Sequence, residues 1–109
     1  MGKFRIVGGN KLQGSIVPQG AKNEAMQIIC ASLLTEEQVT ITNLPNISDI
    51  NNLLDLMKEM GVIVDRVSEN EVKLQAKELD FSYFNTERFY ERATRLRGSV
   101  MILGPMLAR

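Results

Sequence analysis

At 109 residues the chain has room for one ordinary domain, and its 44% hydrophobic and 24% charged composition is that of a globular protein. Thirteen basic residues balance thirteen acidic ones, so no basic excess marks a nucleic-acid binder, and no apolar run is long enough to span a membrane. With no histidine and a single cysteine, a histidine triad, a histidine-ligated metal and an internal disulfide are excluded within the chain.

The opening Met1-Gly2-Lys3-Phe4-Arg5 lacks the apolar core of a signal peptide. Phe4 and Ile6, then Leu12 to Val17, read as two short extended segments with Gly8-Gly9-Asn10 as the turn between them. Pro18 stops the second, and Gly20 is expected to supply the backbone freedom to swing into a helix. Lys22 and Asn23 then stand at the helix entrance, where unpaired backbone N–H groups favour an anion. A lysine in a first turn opposes the helix dipole by roughly 0.3–1 kcal/mol, and a negative ligand beside it would reverse that sign. A solvated lysine is the plainer alternative.

From Asn23 to Leu34 the apolar residues are Ala25, Met26, Ile28, Ile29, Ala31, Leu33 and Leu34, dense enough to predict a largely buried helix. Cys30 lies within it and reads as a small buried hydrophobe rather than a nucleophile. A lone thiol suits a reducing compartment. After the Glu36-Glu37 turn, Val39-Thr40-Ile41-Thr42 alternates as a strand. Asn43 to Asn46 is a loop, and Ser48 or Asp49 is placed to cap a second helix that reaches about Met60 and is closed by Gly61. Its Ile50, Leu53, Leu54, Leu56, Met57 and Met60 follow helical spacing and mark one buried face. Val62-Ile63-Val64 and Val72-Lys73-Leu74 flank Ser68-Glu69-Asn70-Glu71 as a hairpin. The order up to Gln75 is strand, helix, strand, helix, strand, strand: one α/β unit whose two helices can cover one sheet face.

Beyond Ala76 the pattern loosens. Five of the six aromatics fall between Phe81 and Tyr90, interleaved with arginines. They read as packing and edge contacts rather than a base-stacking platform, with Thr86 to Arg92 partly helical. Arg97-Gly98-Ser99 before Val100, Met101, Ile102 and Leu103 then restarts the arrangement of Lys22-Asn23-Glu24 before Ala25 and Met26. A second copy of the unit is therefore expected to begin near Phe81. Pro105 should kink or restart its helix. A buried-looking helix that runs uncapped to Arg109 reads as part of something longer.

Several of these stretches, taken together, resemble a known family in order and spacing. They are Lys11-Leu12-Gln13-Gly14, Gly20-Ala21-Lys22-Asn23, Leu44-Pro45, the helix start at Asp49, and Leu96-Arg97-Gly98-Ser99 with Leu103-Gly104-Pro105 and Ala108-Arg109. The family is that of the enolpyruvyl transferases (EPSP synthase-like), at its amino-terminal quarter and in the branch whose acceptor is UDP-N-acetylglucosamine. Only Asp80–Phe89 falls outside the match. The resemblance implies an α/β (α+β) chain, a βαβαββ unit of an inside-out α/β barrel plus the start of a second unit, in a much longer parent of two domains with substrates between them. Residues 1–20 would give strands to the second domain. Residues 21–109 would begin the amino-terminal catalytic domain, with one unit to about residue 79 and another from about 80.

The implied reaction moves the enolpyruvyl group of phosphoenolpyruvate to the 3′-hydroxyl of UDP-N-acetylglucosamine and releases phosphate. It is the first committed step of bacterial peptidoglycan synthesis, cytoplasmic, with no metal or organic cofactor and no nucleic-acid or membrane partner. By the same resemblance Lys22 contacts phosphoenolpyruvate, Asn23 lies beside the sugar and the reacting centre, and Arg97 meets the nucleotide sugar. Those roles suit a compact cation, a donor–acceptor amide and a guanidinium fork. Asp49 falls on a family aspartate near the cleft, with helix capping as an equal alternative. The family's acid, a cysteine or aspartate on a mobile loop, would follow Arg109, and Cys30 does not occupy its position. No catalytic residue is therefore expected in the chain, and the 109 residues alone should be inactive. Exposed apolar surface would favour self-association or contact with the remainder of the parent. Two departures stand out: Asp80–Phe89 is longer than the usual connection, and Gly98 replaces a common alanine. Two alternatives stay open. One is the sibling that uses shikimate 3-phosphate, which usually has serine after the lysine; the other is a non-catalytic α/β interaction module.

Overall fold

In the computed structural model, which describes residues 2–96 and 101–109, an antiparallel sheet carries the helices on one face. Its strands are β1 (Gln38–Ile41), β2 (Ile63–Ser68) and β3 (Glu71–Gln75), in the order β1-β3-β2. Both pairings to β3 are antiparallel, so β1 and β2 run parallel with β3 inserted between them. Val39, Leu74 and Val64 lie opposite one another across the sheet, as do Ile41, Val72 and Arg66. Val72 and Leu74 are buried while Glu71, Lys73 and Gln75 between them are half-buried, so the period of two separates a core face from a wetter one.

Helix α1 (Lys22–Ala31), continued by a 3-10 turn over Ser32–Leu34, and helix α2 (Ser48–Glu59) supply the other half of the core. All six apolar positions expected of α2 are buried. Its C-terminus closes as a Schellman motif: Gly61 takes φ +102° and donates to the Lys58 carbonyl (3.1 Å), while Val62 donates to that of Met57 (3.0 Å). The β2–β3 hairpin is also as expected. At its turn Arg66 donates to the carbonyls of Ser68 (3.1 Å) and Glu69 (2.7 Å) and to Asn51 Oδ1 on α2 (2.8 Å), fastening the hairpin to the helix.

Other expectations are corrected. Helix α1 buries Ala25, Met26, Ile29 and Cys30 but leaves Ile28 41% exposed, because among the described residues no layer covers the side of α1 turned away from the core. Neither Ser48 nor Asp49 caps α2; Ile47 holds the N-cap position with no side-chain hydrogen bond. Residues 2–19 form no strand. Phe4 (98% exposed), Ile6, Leu12, Ile16 and Val17 have no ladder to join, and a strand without a partner leaves its backbone groups to water. This segment lengthens the molecule: the Cα radius of gyration is 17.5 Å, where about 13 Å is usual for a compact chain of this size. Gly20 is needed for space rather than torsional freedom. A Cβ there would lie 1.9 Å from the Asn43 carbonyl oxygen, and Asn43 itself holds φ 53°.

After the sheet, Asp80 accepts from the Ser82 N–H (3.1 Å) to start a 3-10 turn over Phe81–Asn85, and Thr86 accepts from the Phe89 N–H (3.2 Å) to cap α3 (Glu87–Arg95). Phe89 meets Tyr83 and Phe84 edge-on at centroid distances of 5.6 and 4.8 Å, so these three aromatics are packing groups. A carboxylate locks α3 to α2. Glu59 Oε1 accepts from Arg88 Nε (2.6 Å), and its Oε2 accepts from the Tyr83 hydroxyl and pairs with Arg92 Nε (3.2 Å). Helix α4 (Leu103–Ala108) starts after a 3-10 turn at Met101–Ile102, with Pro105 in its first turn, the restart expected of a proline. Beyond it Arg109 donates to the carbonyls of Leu33 (3.0 Å) and Ala76 (2.7 Å). Arg97 to Val100, the expected second basic helix entrance, lie outside the described residues.

Burial would raise the pKa of Glu59, but hydrogen bonds from Tyr83 and Arg88 and the charges of Arg92 and Arg88 outweigh it and hold the group below its usual range. Burial, then the hydrogen bond to and charge of Glu59, push Tyr83 up to about 12. The stability carried by Glu59 is complete above the unfolded carboxylate value of roughly 4.3 and is lost as pH falls through the lower folded one. That carried by Tyr83 is complete below about pH 10 and is lost as pH rises toward 12. In urea unfolding across pH, Glu59→Gln should flatten the acid limb and Tyr83→Phe the alkaline one; limbs unchanged in both variants would show that other groups set them. Gly20→Ala should cost about 1–3 kcal/mol, the usual range for overpacking, read from the urea midpoint. An unmoved midpoint would mean that Gly20 does not sit against Asn43.

Candidate functional site

The buried faces of α1 and α2 pack together, and this brings their first turns side by side. Both helices begin from extended residues without a capping side chain, Ala21 and Ile47. Their first helical hydrogen bonds are those from Ala25 N to Ala21 O and from Asn51 N to Ile47 O, each 3.0 Å. The backbone N–H groups ahead of these bonds therefore have no helical acceptor, and two positive dipole ends converge.

Lys22 and Asp49 meet at this point, with Nζ 2.8 Å from Oδ2 and side chains 48% and 45% exposed. The two residues are 27 positions apart in the chain. Asp49 in the first turn of α2 is favoured by that helix's dipole, and it offsets the unfavourable placement of Lys22 in α1. The negative partner that Lys22 calls for is thus present within the chain, and Asp49 acts through this contact rather than as a cap. Asn23, the next residue of α1, is exposed, and its amide makes no hydrogen bond among the described residues. A hollow of about 170 Å³ lies between α1 and the end of β1, lined by Ala21, Glu24, Ile28, Thr42 and Asn43 among others, and neither Lys22 nor Asp49 lines it. Three of the four candidate site residues are therefore neighbours. The fourth, Arg97, lies outside the described residues.

An exposed pair of this kind contributes about 0–1 kcal/mol, so an anion arriving at the converging helix ends can exchange with the Asp49 carboxylate at little cost. The Cys30 thiol offers no chemistry here: burial pushes it up to about 11, which leaves it protonated at neutral pH. Among the described residues no three carboxylate or thiol side chains converge as a metal ion would need.

The sequence reading missed the arginines of α3 and their partner Glu59. The spacing of Arg88, Arg92 and Arg95 at i, i+4 and i+7 was the available signal, since it sets all three on one helix face. What that face meets depends on the packing of α3 on α2.

Residues 6–109 match the family model described as EPSP synthase (3-phosphoshikimate 1-carboxyvinyltransferase). Over all 109 residues the chain is 50% identical to proteins named UDP-N-acetylglucosamine 1-carboxyvinyltransferase from Bacteroides thetaiotaomicron and Bacteroides fragilis. It is 47% identical to the protein of that name from Porphyromonas gingivalis. In each case it spans a quarter of the relative's length, 25%, in the amino-terminal portion. With the family match covering nearly the whole chain and a mixed helix–strand unit to go with it, this chain belongs to the EPSP synthase (enolpyruvyl transferase) family.

Proposed function

We propose that this chain forms one wall of the substrate cleft of an enzyme that transfers enolpyruvyl from phosphoenolpyruvate to the 3′-hydroxyl of UDP-N-acetylglucosamine, releasing phosphate. The observation that carries the reading is the meeting of Lys22, Asn23 and Asp49 at two converging helix N-termini, in a chain 47–50% identical to relatives bearing that enzyme's name. The names of those relatives, and Asn23 where the shikimate sibling usually has serine, favour the nucleotide sugar over shikimate 3-phosphate as acceptor.

In this reading Lys22 neutralises the phosphate or carboxylate of phosphoenolpyruvate, assisted by the free N–H groups of the first turns. The Asn23 amide orients the acceptor hydroxyl beside the enolpyruvyl carbon. Asp49 is a positioning residue: it holds the Lys22 ammonium in place and gives way when substrate arrives. Arg97 meets the nucleotide sugar, by family resemblance. Protonation of the enolpyruvyl carbon by an acid from elsewhere in the parent makes the oxocarbenium-like centre that the hydroxyl attacks while giving its proton to a base. Loss of a methyl proton and cleavage of the C–O bond to phosphate then restore the vinyl group. The reaction needs no metal or organic cofactor. Residues 1–20 pair as strands in the parent's second domain, which accounts for their bare apolar side chains. Residues 21–109 begin the catalytic domain. Without those contacts the apolar surface promotes self-association. The setting is the bacterial cytoplasm, as a lone thiol suits.

The test is a chimera in which these 109 residues replace the matching quarter of the Bacteroides thetaiotaomicron relative. It should release phosphate from phosphoenolpyruvate only when UDP-N-acetylglucosamine is present, and Lys22→Ala should lower kcat/KM at least 100-fold. The 109-residue chain alone should show no turnover. A folded chimera that is inactive, or one indifferent to Lys22→Ala, would overturn the reading.

A further inference from the structure

One turn along α2 from Asp49, the side chain of Asn52 faces α3 across a cavity of about 350 Å³. Arg88, Glu91, Arg92, Arg95 and Leu96 complete its lining. Three guanidinium groups face one carboxylate there, and counting Glu59 just beyond still leaves one positive charge in excess. The excess is localised. Arg88 and Arg92 are engaged with Glu59, whereas Arg95 and Asn52 have no hydrogen-bond or ion-pair partner among the described residues. Leu96, 5% exposed, gives the cavity an apolar floor.

We infer that this cavity binds a phosphate-type oxyanion, a phosphate or diphosphate group of a small molecule, with Arg95 and Asn52 as its free donors. A guanidinium presents a planar fork that matches two phosphate oxygens, and the primary amide adds a donor from the facing helix. A merely solvated basic face would be convex; this one is concave, lies between two packed helices, and has room for on the order of ten waters. Arg92, held by Glu59, provides a fixed positive charge behind the free donors. Glu91 opposes the anion from the rim and keeps the affinity modest. None of these groups belongs to the Lys22–Asp49 pair, so the inference stands apart from the proposed reaction.

The probe is inorganic pyrophosphate, titrated into the 109-residue chain at low ionic strength and followed by amide chemical shifts or calorimetry. Binding should saturate, weaken with added salt, fall at least tenfold in Arg95→Ala and several-fold in Asn52→Ala, and tighten in Glu91→Gln. Arg95→Lys should retain part of the affinity. Arg95 and Asn52 are exposed and hold no hydrogen bond or ion pair among the described residues, so melting curves of these variants should match that of the unsubstituted chain. Lys22→Ala should leave the Arg95-dependent component of pyrophosphate binding unchanged. UDP is the second arm: equal affinity assigns the site to the bare anion, and tighter binding of UDP assigns it to a nucleotide phosphate. Absence of saturable binding, or binding abolished by Lys22→Ala and untouched by Arg95→Ala, would overturn the inference. An inactive chimera combined with Arg95-dependent pyrophosphate binding would remove the proposed reaction and leave this site standing.

Discussion

The burial of one face of α2 is the constraint on which everything else in this chain rests. Ile50, Leu53, Leu56, Met57 and Met60 are almost completely withdrawn from water, and each such side chain is worth about 1.5–3 kcal/mol relative to exposure. At 3.6 residues per turn, fixing that face also fixes where Asp49, Asn52 and Glu59 emerge. These three mark the polar edge of α2 from its first turn to its last. Helix α1 brings Lys22 to the first of them, and α3 brings arginines to the other two. The electrostatics at both ends of the helix therefore follow from a hydrophobic choice made in its middle. The Schellman turn at Gly61 completes the arrangement, because it frees the Met60 carbonyl to accept from Asp80 N (2.8 Å), where the chain leaves for α3.

What was legible in the sequence had a local cause. The face of α2, the β2–β3 hairpin and the Pro105 restart each depend on a period, a turn or a ring that acts within a few residues. Density of apolar residues was less informative in α1: it signals burial but not how many layers are available to provide it, and Ile28 remains half exposed. Phe4 and Leu12 to Val17 have strand chemistry, yet a strand is a property of two segments and the second is not among their neighbours. Gly20 illustrates a different gap. Torsional freedom is the usual reason for a glycine before a helix, but here the Asn43 carbonyl occupies the space a Cβ would take, a fact about a residue 23 positions away.

The candidate site was legible in its parts and not in its assembly. Lys22 and Asp49 each had a sufficient local explanation, the one as a cation at a helix start and the other as a cap. Their contact at 2.8 Å is a product of α1–α2 packing that neither local argument contains. The α3 arginines were hidden for the same reason: their spacing was plain, but Glu59 lies on another helix, and only the packing brings it within reach.

Among the described residues two cation–carboxylate clusters join one helix to another, and comparing them separates an exchangeable pair from a fixed one. Glu59 is only 21% exposed and receives three side chains at once, two of them guanidinium groups. Removing any one of these partners leaves the others in place, so an incoming anion cannot readily take the carboxylate's position. Asp49 is 45% exposed and holds a single ammonium on a flexible stem. Such a contact is worth little in water, and both partners can re-solvate when it opens. Identical chemistry therefore serves opposite ends: surplus donors and partial burial make Glu59 a lock, while one donor and open solvent make Asp49 exchangeable. Two helix N-termini behind the exchangeable pair favour whatever anion replaces the carboxylate, which is the physical reason to place the proposed substrate at Lys22 rather than in the position that Glu59 already fills.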